Sequence, residues 1–276
     1  MDPKNSEAMM RNQRCWPARS QGGRGLCLGL GLLLWWLGLV PRLQAQEKQV
    51  VQGSQIWGGY ISSIRLSSKF SLWNDLHYVP ESFFIMRHGL SVHLTDQITA
   101  TGGYAWLNTS VAAQDNRLRR FEHRPWLQVM INLPIGEKYQ ISHRIRYDYR
   151  IRQAMLEGLP QEGEYIAYHR LRLMTSLRRP LVGQRLGNRI PYLTVGNELL
   201  VNFGKAITFN HFDQNRFWLM AGIQFSPLTI QFGYMHRFVQ GASGYEFAVY
   251  HTPVLWVTHG INSKGRAVEK MLHRDP

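Results

Sequence analysis

Ile141-Ser142-His143-Arg144-Ile145-Arg146-Tyr147-Asp148-Tyr149-Arg150-Ile151-Arg152 alternates from its first residue to its last. The odd positions are Ile, His, Ile, Tyr, Tyr and Ile; the even ones are Ser, four Arg and one Asp. Successive side chains of a strand point to opposite faces, whereas a helix would spread these residues around its circumference. The segment therefore reads as a long strand with one apolar, aromatic face and one face crowded with guanidinium groups.

The same period of two continues on both sides. Phe121–Leu133 sets Leu127, Val129 and Ile131 against Glu122, Arg124 and Gln128, and Glu164–Arg178 sets Leu171 and Leu173 against Arg170 and Arg172. Leu193–Phe203, Asp213–Phe225 and Leu228–Phe238 alternate alike, with Glu198, Arg216 and Arg237 on their polar faces. Val50–Ile61, Lys69–Tyr78, Phe83–Leu94, Gln97–Leu107 and Tyr245–Val257 show weaker alternation. These make eleven candidate strands. Short turns are expected at Leu94–Gln97, Pro134–Glu137 and Ser226–Thr229, and longer connections at Asn108–Arg120, Gln153–Gly163 and Gly204–Phe212, with a ten-residue link at Pro180–Arg189 as the exception to their alternation. Strands of ten residues or more, joined by short turns at one end and long ones at the other, are the pattern of a transmembrane barrel. The expected fold is all-β: a single antiparallel transmembrane β-barrel over residues 46–262. Bacterial single-chain barrels have an even number of strands, so ten or twelve are expected. Trp57, Tyr60, Tyr104, Trp106, Tyr192 and Trp256, near strand ends, suit interfacial girdles. A soluble lipocalin-like barrel would alternate too, but with its charged face outward and its apolar face in the core.

Residues 1–45 read as a signal peptide. Arg11, Arg14, Arg19 and Arg24 precede an uncharged run from Gly25 to Val40, and Leu43-Gln44-Ala45 precedes polar Gln46-Glu47-Lys48. Basic, apolar and small-residue regions in that order mark export, with cleavage after Ala45. At sixteen residues the apolar run falls short of the ~20 a helical membrane anchor requires. Both cysteines, Cys15 and Cys27, lie inside this segment. Arg24 stands where a lipoprotein signal needs an aliphatic residue. The expected location is the bacterial outer membrane, with its lipid and the barrel-assembly machinery as partners. Lys and Arg outnumber Asp and Glu by 32 to 18; without residues 1–45 the balance is 26 to 16. Nucleic acid is not the expected partner, because the basic residues alternate with apolar ones along strands rather than gathering on one surface with stacking aromatics.

Trp57-x-x-Tyr60, Gly103-Tyr104, Phe121-Glu122-His123-Arg124-Pro125-Trp126, Arg144-x-Arg146, Arg170-x-Arg172 and Asn215-Arg216 follow one another in an order that resembles a family of uncharacterised bacterial outer-membrane barrels, a domain of unknown function. The resemblance covers roughly Val50 to Thr258 and implies an outer-membrane barrel. Such barrels commonly finish on an aromatic residue read by the assembly machinery. This chain runs on through a basic tail, residues 263–276, which leaves Trp256 for that role.

If the polar face is the lumen, a charge network forms there from Glu122, Arg124, Arg144, Arg146, Asp148, Arg170, Arg172, Glu198 and Arg216, with Arg87, Arg150, Arg152, Arg237 and Asp75 beside it. Bidentate carboxylate–guanidinium pairs would fix such a network. It would serve either as an ionic plug filling a narrow barrel or as a path for a small anionic solute, since rings of Arg favour anions. The competing class is a lipid- or glycan-modifying barrel enzyme, which a cluster of Ser, His and Asn or Asp at one rim would favour. Ser91 with His93 and Ser142 with His143 are neighbours in sequence, and His211, His236 and His251 lie elsewhere. No nucleophile motif, metal-ligand spacing or phosphate-cradling glycine loop is present, so no catalytic residue, metal or cofactor is expected.

Overall fold

The computed structural model describes residues 48–112, 117–136, 138–181 and 189–262. The expected signal peptide and basic tail lie outside them. Twelve strand segments run in chain order. They are β1 (Gln49–Ser54), β2 (Trp57–Arg65), β3 (Phe70–Val79), β4 (Phe83–His93), β5 (Ile98–Ala112) and β6 (Arg117–Ile135). Then follow β7 (Tyr139–Leu156), β8 (Leu159–Pro180), β9 (Ile190–Phe203), β10 (Phe212–Phe225), β11 (Leu228–Gln240) and β12 (Glu246–Asn262). Each strand from β2 onward pairs antiparallel with the next, and β12 closes the sheet against both β1 and β2.

That seam corrects the expected strand number. Gln49 pairs with Glu246 and Trp57 with Val254, both 197 residues apart in sequence, so β1 and β2 are two halves of one strand in constant register. The barrel has eleven strands, neither ten nor twelve. In an up-and-down meander directions alternate, so with an odd number the first and last strands point the same way. Their pairing is accordingly parallel, and the barrel is antiparallel everywhere except at this seam.

Register fixes the shape. Traced from Arg65 through Ser71, Ser91, Thr101, Gln128, Arg146, Arg172, Leu200, Gln214 and Val239, it arrives at Ala248. Arg65 itself lies beside Asn262, a slip of fourteen residues in one circuit. With strands ~4.8 Å apart and ~3.3 Å per residue, that slip means a tilt of ~40° and a backbone radius of ~11 Å.

Along Ile141–Arg152 the arginines and Asp148 face inward: Arg146, Asp148 and Arg150 are buried, while Ile145 is 51% exposed. Leu127, Leu219 and Phe232 also point outward, at 55–63% exposure. This is the reverse of the polarity a soluble barrel would have. Two interior glycines make room for aromatic rings: a Cβ on Gly196 would stand 2.3 Å from the Trp218 ring, and one on Gly222 2.3 Å from that of Tyr192.

The expected contrast of short and long connections holds only in part: 204–211 is a long connection, as read, but 153–163 is not. β7 and β8 continue to a two-residue turn at Glu157-Gly158 inside the segment read as a long loop. Both turn residues have positive φ, 52° and 81°, the geometry whose twist matches the flanking strands of a tight hairpin. The girdle expectation also divides. Tyr60 and Tyr104 are exposed, whereas Trp57 and Tyr192 are buried, and Trp256 packs inside against Trp57 and His77.

Candidate functional site

Four neighbouring strands, β6 to β9, supply most of the interior charge. On β6 the inward positions are Glu122, Arg124, Trp126 and Gln128, all buried. Glu122 is fully buried and collects three arginines. Its Oε1 accepts from Arg124 Nη2 (2.6 Å) and Arg150 Nε (2.5 Å), its Oε2 accepts from Arg150 Nη2 (2.6 Å), and Arg152 Nε stands 3.7 Å away. Glu198 on β9 is a second hub. Arg144 Nη2 (2.6 Å) and Arg172 Nε (2.9 Å) donate to its Oε1, and Arg216 Nη1 (3.2 Å) to its Oε2. Asp148 lies between the hubs, 3.7 Å from Arg124 and 3.9 Å from Arg172, with no hydrogen bond at Oδ2 among the described residues. Seven of the nine residues singled out from sequence thus fall into hubs or the links between them; Arg146 and Arg170 do not.

Arg146 stands apart from both hubs. It donates to Gln128 Oε1 (2.6 Å) and lies over the rings of Trp126 and Trp73, with centroids 4.8 and 5.5 Å away. Arg170, expected within the β6–β9 network, reaches instead to Asp213 Oδ1 (2.9 Å), which also accepts from Asn202 Nδ2 (3.1 Å). Sequence parity places Asp213 on the outward face; the register shift between Phe212 and Gln214 turns it inward, as a bulge does. Another cluster lies on β2 to β4. Trp57 Nε1 donates to His77 Nδ1 (3.0 Å), so Nε2 of that ring carries its proton toward Asp75 Oδ1 (2.9 Å). Arg87 Nη2 binds both oxygens of Asp75 at 2.9 Å. His77 carried no motif that would have flagged it, and Trp57 stood out only in the Trp57-x-x-Tyr60 of the family resemblance and as a girdle residue.

The serine and histidine pairs seen as sequence neighbours do not form. Ser91 bonds to Thr101 (2.9 Å) and Ser142 to Asn132 (2.6 Å). His143 and His251 point outward, bonded to Thr175 (2.9 Å) and Tyr234 (2.5 Å). His93 instead meets Ser71 (2.8 Å) and Thr99 (3.2 Å). Ser71 is fully buried, which leaves a substrate no approach to its hydroxyl. Among the described residues no three His, Cys, Asp or Glu side chains gather to share a metal ion.

A cavity of about 660 Å³ runs down the interior. Ser82, Asn210, Gly241 and Ala242, from the connections at the rim where β1 begins, line its mouth. It descends past the arginines to Trp73, Met130 and Arg144. Of the described residues at the opposite end, His93, Arg178, Tyr192 and Gln224 are not part of its wall. There Arg178 lies over the Tyr192 ring and is hydrogen-bonded to Gln224.

Fold and site together define an eleven-stranded β-barrel with a buried ionic interior. The chain belongs to the family described as "Protein of unknown function (DUF2490)", whose model matches residues 54–248. No curated protein and no solved structure matches it.

Proposed function

We propose that the protein is a bacterial outer-membrane barrel whose arginine-walled interior is a blind cup for a small anionic solute. The observation that carries this reading is the inverted polarity, with guanidinium groups buried inside and leucine, isoleucine and phenylalanine exposed outside. Soluble monomers rarely expose continuous apolar surface beyond a few hundred Å², and here it recurs on most strands from β3 to β12. Ten residues of a strand tilted by ~40° rise ~25 Å, the height of the apolar band on membrane barrels. Inside, arginines outnumber carboxylates. Arg146, Arg178 and Arg237 are held by amide oxygens and aromatic rings, with no carboxylate within 4.0 Å among the described residues. Such an excess favours an anion in the remaining space. The cavity ends among side chains, which supports a cup rather than a pore.

Two measurements test this. Cell fractionation should recover the protein with outer membranes, heat-modifiable on gels. Recovery in the soluble periplasm without detergent would refute the membrane reading. In planar bilayers the wild type should show no steady conductance; a stable chloride-selective current would refute the blind cup and restore the path.

A further inference from the structure

The wall of the cavity is not uniform. From β6 to β11 it presents most of its arginines, with Met130, Met174, Trp218 and Met235 among them. From β12 through β2 to β5 it presents Trp256, Trp57, Ile61, Phe83, Ile85 and Leu107. The charges within this second sector, Asp75 and Arg87, are paired with each other. One sector is therefore rich in guanidinium groups, and the other is mainly apolar and aromatic. An inorganic anion would use only half of this surface and leave the rest against water. Ligand sites of ~300–1,000 Å³ typically combine an apolar lining with a few placed polar groups, and this cavity falls in that range.

The two sectors meet at Trp57. Arg216 and Arg237 lie over its ring at 5.2 and 5.1 Å, and Phe83 packs edge-on at 5.2 Å. Arg237 is 95% buried, donates Nη1 to Gln55 Oε1 (2.5 Å) and has no partner at Nε among the described residues. It lies three residues before the end of β11, near the mouth. Glu198, the carboxylate nearest Arg216, is already shared with Arg144 and Arg172. Positive charge is therefore in surplus where the apolar wall begins.

We infer that the cup takes an amphipathic organic anion, with an acidic headgroup at Arg237 and Arg216 and an apolar or aromatic body along Trp57, Phe83, Ile85 and Leu107. This rests on the anion-cup reading and names its ligand class.

The test uses full-length mature protein in amphipol, with naphthalene-2-sulfonate as probe and tryptophan fluorescence as readout. Sodium sulfate and uncharged naphthalene-2-methanol serve as comparators. The sulfonate should bind, the methanol analogue about tenfold or more weaker, and sulfate should compete only at far higher concentration. Arg237→Gln should weaken the sulfonate about tenfold and leave the methanol analogue unchanged. It orphans no carboxylate, because its partner is the neutral Gln55. If that variant does not fold, Ile85→Thr serves, and should weaken both naphthalene compounds alike without changing sulfate. Sulfate competing as well as the sulfonate would overturn the amphipathic ligand and leave the anion cup standing. Equal binding of the neutral analogue, or no binding of any probe, would overturn both. Sulfonate affinity unchanged in both variants would place the probe outside the cup and overturn this site.

Discussion

Replacing Glu198 by glutamine removes one negative charge from among three guanidinium groups and changes little else. Arg144, Arg172 and Arg216 approach its carboxylate at 2.6, 2.7 and 3.2 Å. At ~4 Å between charge centres and an effective dielectric of ~20, each attraction is worth ~4 kcal/mol. Much of that is recovered in the variant, because the amide oxygen still accepts one hydrogen bond and Arg172 retains Asp148 at 3.9 Å. Removing one partner of a buried ionic group typically costs ~3–5 kcal/mol, and we expect a loss in that range. For a domain of this size each kcal/mol moves the melting midpoint ~2–4 °C, so Glu198→Gln should melt roughly 6–20 °C lower. The midpoint of the heat-modified band on unboiled gels, or a circular-dichroism melt in detergent, reads it. Glu81→Gln is the internal control. Its pair with Arg117 has the same 2.8 Å geometry a buried pair would have, but its side chains are 74% and 55% exposed, and exposed pairs contribute ~0–1 kcal/mol. Adding Arg144→Gln to Glu198→Gln should restore part of the loss, a coupling that a double-mutant cycle isolates. A Glu198→Gln variant as stable as Glu81→Gln would refute the view that the hubs hold the interior together.

Ile145→Arg would put a charge on the outward face and, in a bilayer, cost ~2–4 kcal/mol near the midplane; assembled, heat-modifiable barrel should fall sharply. Arg146→Gln, one residue along, leaves no carboxylate unpaired and should assemble nearly as well as wild type. Equal damage from both would show the faces are wrongly assigned. Gly196→Ala drives a methyl to 2.3 Å from the Trp218 ring and should cost ~1–3 kcal/mol by overpacking, read as a lowered melting midpoint. Adding Trp218→Leu should recover most of that loss. Mass spectrometry of the mature protein should find its first residue at Gln46; an N-terminus upstream of Gly25 would refute cleavage.

The faces of β6 to β10 were legible because polarity alternates there: arginine inside, leucine outside. The segments with weaker alternation, Lys69–Tyr78, Phe83–Leu94, Gln97–Leu107 and Tyr245–Val257, coincide with the apolar sector of the cavity wall. Where the inward side chains are Trp, Phe and Leu, both faces of a strand are apolar, and the period of two fades from polarity although it persists in geometry. That is also why Trp57 and Trp256 suit girdles on sequence alone: they stand near strand ends, and no charged residue two positions away reveals their inward parity. Asp213 escaped because a bulge shifts parity without marking the sequence. All eleven strands were readable, and only the rule of even numbers argued against them. Which arginine meets which carboxylate depends on the tilt, and so on a slip accumulated over the whole circuit that no local stretch records.

The parallel seam has a consequence for how the molecule is threaded. An even meander returns its chain to the rim from which it set out; this one does not. Gln49 leaves from one rim and Asn262 finishes at the other, so the described chain makes one net passage from rim to rim. If the barrel spans a membrane, the two ends face different compartments. An epitope placed just before Gln49 and another just after Asn262 should then be reached by antibody or protease from opposite sides of the same intact cell envelope.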